Sequence, residues 1–64
     1  MPVIIVKARQ GVLRDKQMKA RLIQEMAATF ARVVGHEKYE HRATVLIEEL
    51  PDENWGREGR QIGS

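Results

Sequence analysis

Pro2 and a set of arginines are the residues of this chain best equipped to do chemistry. Pro2 stands behind the initiator methionine and ahead of the apolar run Val3-Ile4-Ile5-Val6. A small second residue invites removal of Met1, which would leave a free secondary amine at the mouth of a buried strand. Desolvation there disfavours the protonated amine and lowers its pKa toward neutrality, which suits a general base. With Met1 retained the same nitrogen is an amide and has no basic lone pair. In a purely structural role, Pro2 stiffens the start of a strand, where its missing N–H costs no ladder hydrogen bond. Seven of the 11 basic residues are arginines. A guanidinium fork suits bidentate capture of carboxylates, although most such side chains are simply solvated surface charges.

Other constellations carry less. His36 and His41 lie in a charged connection with Glu37 and Glu40, but no cysteine or further histidine completes a ligand set, so no metal is expected. There is no Ser-His-Asp or phosphate-loop pattern. Glu25 reads as a helix-surface charge paired with Arg21 or Arg32.

The elements that must position these residues follow from periodicity. Val3 to Val6, β-branched throughout, and the second run Ala43-Thr44-Val45-Leu46-Ile47 read as strands buried on both faces. Between them Met18, Leu22, Met26, Phe30 and Val33 recur at spacings of four or three, predicting an amphipathic helix of about five turns. Asp15 suits its N-terminus and Gly35 its end. Strand, helix and strand in this order predict a βαβ unit with parallel strands and a right-handed crossover. One helix covers one face of a two-stranded sheet, so the other apolar face needs cover from outside the chain. A second copy is the simplest candidate, and open sheet edges point the same way. The tail from Leu50 to Ser64, with Pro51, Trp55 and three of the five glycines, reads as a turn or hairpin. In it Trp55 serves as a subunit anchor, a pocket wall or both.

Length bounds the rest. A 64-residue domain buries only about 60% of its unfolded surface. With no cysteine to form disulfides, oligomerisation is the expected support. One α/β domain spanning residues 1–64 is expected. The net charge of +2 is spread too evenly to mark a nucleic-acid footprint, and no signal peptide or membrane span is apparent. A soluble, cytoplasmic protein without nucleic-acid or membrane partners is expected.

The N-terminal proline on a strand, the βαβ core and the tail Glu49-Leu50-Pro51-Asp52-Glu53-Asn54-Trp55-Gly56 together resemble the 4-oxalocrotonate tautomerase family. The strongest part is Pro51-x-Glu53-Asn54-Trp55-Gly56; Asp15-Lys16-Gln17 and the following helix match more loosely. The resemblance implies a small homo-oligomer, commonly a hexamer, with a dimer or trimer as alternatives. It also implies keto-enol tautomerisation of a small anionic 2-oxo or 2-hydroxydienoate acid without cofactor or metal. Pro2 would be the base, and Trp55 would line the pocket and keep it dry, strengthening the electrostatics that hold the developing dienolate.

The chain departs from the family pattern at its arginines. Family members with established activity place an arginine directly after the glycine that follows the first strand; here Gly11 is followed by Val12-Leu13-Arg14-Asp15. Arg14 is the candidate for that role if the longer loop swings it back. The family's second arginine falls on Thr44, and Arg42, two positions earlier and so on the same strand face, is the best substitute. The family's Gly-x-Gly-Gly reads Gly56-Arg57-Glu58-Gly59. Arg9 matches an arginine of the related 3-chloroacrylic acid dehalogenases that binds a substrate carboxylate. Their water-activating carboxylate, two residues after the tail aromatic, is Arg57 here, with Glu58 one place late. Dehalogenation or hydration is therefore the runner-up chemistry, and a non-catalytic oligomer on the same scaffold is a further alternative. From a different class, a ribbon-helix-helix DNA-binding protein would need a second long helix after Gly35, where the chain has a β-branched run instead.

Overall fold

The computed structural model describes residues 2–62. Strand β1 (Val3–Arg9) leads into helix α1 (Lys16–Val34), a short helical turn α2 (Tyr39–Arg42) and strand β2 (Thr44–Leu50). A 3-10 turn at Asp52–Asn54 then precedes the hairpin strands β3 (Gly56–Arg57) and β4 (Arg60–Gln61). β1 and β2 pair in parallel, from Val3 opposite Thr44 to Arg9 opposite Leu50. The architecture is therefore the expected mixed α/β one, a βαβ unit followed by a hairpin.

Both strands run further than their β-branched cores. The ladder continues through Lys7↔Glu48 and Ala8↔Glu49, where polar side chains alternate onto an open face. Helix α1 begins as expected, with the Asp15 carboxylate accepting from the Met18 N–H at 2.8 Å. It ends at Gly35, whose φ of 81° is the left-handed value that glycine adopts without steric cost. Val33, assigned to the apolar stripe from its spacing, is instead 77% exposed. The three-residue step from Phe30 returns Val33 to the middle of the stripe, so its exposure comes from its place in the last turn of α1, where the adjacent Val34 is also 51% exposed. Ala27 and Ala31 are the buried positions.

The connection after Gly35 is shorter than it looks in sequence, because α2 folds it into a helical turn. Tyr39 holds it there, with its ring edge-on to Phe30 at 5.7 Å and tilted on His36 at 5.2 Å. Glu40 in the first turn and His41 and Arg42 in the last suit the helix dipole. This corrects the placement of Arg42, which ends a helical turn and does not share a strand face with Thr44.

Burial alternates along the sheet. Ile4, Val6, Ala8, Val45 and Ile47 are half-buried, whereas Val3, Ile5 and Leu46 on the opposite face are 57%, 51% and 47% exposed. The strands are thus apolar on both faces, but this chain covers only one. Among the described residues Ala27 and Ala31 alone are buried, and no large side chain is fully enclosed. A chain with so small a core needs support beyond itself. No helix among the described residues is long and apolar enough to cross a membrane.

Candidate active site

The candidate residues fall into two groups at opposite ends of the sheet. Pro2 opens β1, half-buried, and its carbonyl accepts the Thr44 N–H at 2.9 Å. That bond ties the start of β1 to the start of β2. Arg42, two residues before Thr44, is exposed at this end and makes no ion pair among the described residues.

Arg9, Arg14 and Trp55 belong to the far end. Seven residue steps of about 3.3 Å separate Pro2 from Arg9, so the two ends lie roughly 23 Å apart. Here Leu50, the last residue of β2, organises the chain. Its carbonyl accepts both the Gln10 N–H at 2.9 Å and the Trp55 indole N–H at 3.1 Å. The indole is thereby fixed against the strand end, and the Ile62 N–H closes on the Trp55 carbonyl at 2.9 Å. Arg9, Asp52, Trp55 and Ile62 line a cleft of about 120 Å³. Pockets that take whole small molecules run to about 300–1,000 Å³, so this cleft suits one end of a substrate.

Arg9 does not face that cleft with a free guanidinium. Its Nε donates to Asp52 Oδ1 and its Nη2 to Oδ2, the latter at 2.6 Å, in a bidentate pair. The paired guanidinium holds the Asp52 carboxyl below its ordinary range, and the carboxylate raises the Arg9 pKa in turn. Asp52 was only a spacer in the tail motif; what reveals its role is the 3-10 turn, which folds the tail back over β1. Arg14 is exposed in the loop between β1 and α1 and makes no ion pair among the described residues.

A second anchor braces that loop. Glu49 pairs with Lys19 of α1, and with a hydrogen bond from the Gly11 backbone this keeps its carboxyl below the usual range. Arg57 and Arg60 stand directly opposite each other across the hairpin. Glu58 and Gly59 form its two-residue turn with φ of 53° and 79°, the paired positive values of a type I′ turn. The hairpin therefore closes with glutamate where the family pattern has glycine. Among the described residues no group of His, Cys, Asp and Glu could hold a metal ion.

The chain matches the family model described as "Tautomerase enzyme" over residues 2–64. Among solved structures it is similar to an apo unfused 4-OT, 28% identical with a TM-score of 0.77, covering 95% of this chain and 93% of that one. It is also similar to TomN, a 4-oxalocrotonate tautomerase homologue in the tomaymycin biosynthetic pathway. There the identity is 30%, the TM-score 0.78 and the coverage 95% and 88%. A heterohexameric 4-oxalocrotonate tautomerase from Chloroflexus aurantiacus J-10-fl shares the fold, with a TM-score of 0.80 at 20% identity, over 100% of this chain and 97% of that one. No curated protein matches the chain.

Proposed function

As this chain belongs to the 4-oxalocrotonate tautomerase family, we propose that it is a cofactor-independent isomerase. Its reaction is keto-enol tautomerisation of a small 2-oxo or 2-hydroxydienoate acid, with the Pro2 amine as base once Met1 is removed. The observation that carries this reading is the position of Pro2 directly ahead of a strand whose outer apolar face, at Val3 and Ile5, the chain leaves bare. A second copy seated on Val3, Ile5 and Leu46 would take the amine out of water. Desolvation then favours the neutral amine near pH 7.

The neutral amine accepts the proton of the substrate's enol hydroxyl, and the resulting secondary ammonium returns it to carbon. Charge grows on the dienolate between these steps. Arg42, at the same end of the sheet, is placed to hold the carboxylate or the developing oxyanion. Trp55 shares its cleft with Arg9, which lies roughly 23 Å from Pro2 along the strand, too far to wall the same pocket within one chain. The pocket wall and the second set of arginines, Arg9 and Arg14, therefore come from a neighbouring copy. The heterohexamer among the structural relatives supports such an assembly. A homo-hexamer fits best, with a dimer or trimer as the smaller forms.

The test pairs mass spectrometry of the mature N-terminus with a Pro2→Ala variant, assayed by the ultraviolet decay of a 2-hydroxydienoate. We expect a free Pro2 and a loss of turnover on substitution. Complete retention of Met1, or an equally fast variant, sinks the mechanism and leaves a non-catalytic oligomer as the reading. Chloride release from 3-chloroacrylate checks the dehalogenase chemistry; with Arg57 in the position of the water-activating carboxylate, none is expected.

A further inference from the structure

The far end of the sheet holds a carboxylate site that is already filled by the chain's own carboxylate. Arg9 presents its fork beside the indole of Trp55 and the side chain of Ile62, an arrangement suited to an anionic group on a small acid. Both of its parallel hydrogen bonds go to Asp52. We infer that Asp52 is a specificity-determining residue: by occupying Arg9 it closes the second carboxylate position and restricts the enzyme to monocarboxylate 2-oxo acids. The inference rests on the proposed reading of this end as the substrate-facing end of a neighbouring copy.

Three observations bear on it. First, the competitor is tethered. Arg9 stands opposite Leu50 in the sheet and Asp52 follows Leu50 by two residues, so the folded chain holds the carboxylate at an effective concentration in about the millimolar range, and a free carboxylate at ordinary substrate levels does not displace it. Second, the tether is short and ordered. Asp52 opens the 3-10 turn, and the Trp55 N–H donates to its carbonyl at 3.1 Å, so indole and carboxylate are set by the same turn. Third, Arg14 and Arg42 make no ion pairs among the described residues and are left for a substrate's first carboxylate. A dicarboxylate would bring its second negative charge up to the Asp52 carboxylate and find the Arg9 fork taken.

Trp55 is the only tryptophan and lines this cleft, so intrinsic fluorescence reports on it without requiring turnover. The assembled protein is titrated with 2-oxopentanoate and with 2-oxoglutarate, which have the same chain length and differ by a terminal carboxylate. The wild type should bind the monocarboxylate at least as tightly as the dicarboxylate. Asp52→Asn should gain about tenfold for 2-oxoglutarate alone, because a charge-assisted bidentate site becomes free. Adding Arg9→Gln to that variant should abolish the gain. Asp52→Glu, which keeps the charge on the turn, should behave as wild type and guards against a folding defect in the asparagine variant.

If both acids bind and Asp52→Asn gains nothing for 2-oxoglutarate, or gains equally for both acids, the inference falls alone. If wild type already favours 2-oxoglutarate and Arg9→Gln removes that preference, Asp52 yields to substrate and the inference also falls. If neither acid binds to any form, the substrate-site reading fails and takes this inference with it. Repeating the titration in Pro2→Ala separates the two questions, since the selectivity should persist there whether or not Pro2 is the base.

Discussion

The Pro2 end of the sheet and the Arg9 end are built for opposite conditions. At the first, Val3, Ile5 and Leu46 leave an apolar face bare, and backbone hydrogen bonds, among them that from Thr44 to Pro2, tie the strands together. At the second, Lys7 approaches Glu48 at 3.9 Å, Arg9 grips Asp52, and Lys19 pairs with Glu49. An amine base is tuned by losing water, whereas a carboxylate site is made by converging charge. A tautomerase needs both at one substrate, and this fold places them at opposite ends of a seven-residue strand. On the proposed reading, one chain carries two halves of a site at opposite ends of the sheet, which a second copy can bring together.

The largest expected effect tests the apolar end. Pro2→Ala should lower kcat by about 10²–10⁴-fold, the range for removing a general base, with little change in KM. The comparison itself is tested by mixing. Pro2→Ala and Trp55→Ala proteins, each impaired alone, are unfolded together and refolded at equal concentration. Random assortment should restore about a quarter of the sites, those that take Pro2 from one chain and Trp55 from another. No recovery in correctly assembled oligomers would mean that both residues serve the same chain, against the two-ended layout.

The bare face comes next in size. Leu46 is nearly half exposed in the single chain, so Leu46→Lys should cost an isolated subunit little. If a second copy covers this face, the substitution should cost about 1.5–3 kcal/mol per subunit and shift the protein toward monomer in sedimentation equilibrium. An unchanged Tm and an unchanged mass would leave the Pro2 amine in water and remove its tuning.

Much of this was legible in the sequence for a physical reason: periodicity reports what a side chain faces. The β-branched run Val3 to Val6, the stripe from Met18 to Phe30, the cap at Asp15 and the glycine at 35 each record a local requirement. The place of Pro2 directly ahead of β1 was legible from the β-branched run that follows it. The rest depends on long-range or weakly patterned contacts. Asp52 meets Arg9 across 43 residues, and no spacing rule links them. Helix α2 is a single turn held by the ring of Tyr39, too short for a period to register, so Arg42 was placed on a strand. Glu58 accepts a left-handed φ that the glycine-rich family pattern would supply without steric cost.

Acid should separate the two ends. The carboxyls of Asp52 and Glu49 are held below their ordinary values, so the folded chain binds fewer protons than the unfolded one. Their contribution is complete above the unfolded carboxyl pKa and is lost as the pH falls below about 4, through the depressed folded values. Both groups belong to the Arg9 end. Trp55 fluorescence should therefore change at a higher pH than the far-ultraviolet signal of α1, and Asp52→Asn should flatten the acid limb of Tm against pH. Coincident transitions would show that the two ends unfold as one unit.

The smallest effect concerns the hairpin that carries Trp55. Arg57 and Arg60 are direct cross-strand partners, and neither makes an ion pair among the described residues. Like charges placed opposite each other oppose strand pairing, so Arg60→Thr should stabilise the hairpin by about 0.2–1 kcal/mol. This repulsion lies on an exposed surface, so the gain should shrink as added salt screens it. If Arg60→Thr instead lowers Tm, and does so only in the oligomer, a neighbouring copy supplies the missing negative charge. The charged end would then be an interface as well as a binding site, and the contrast between an apolar end that assembles and a charged end that binds would give way to two ends that both assemble.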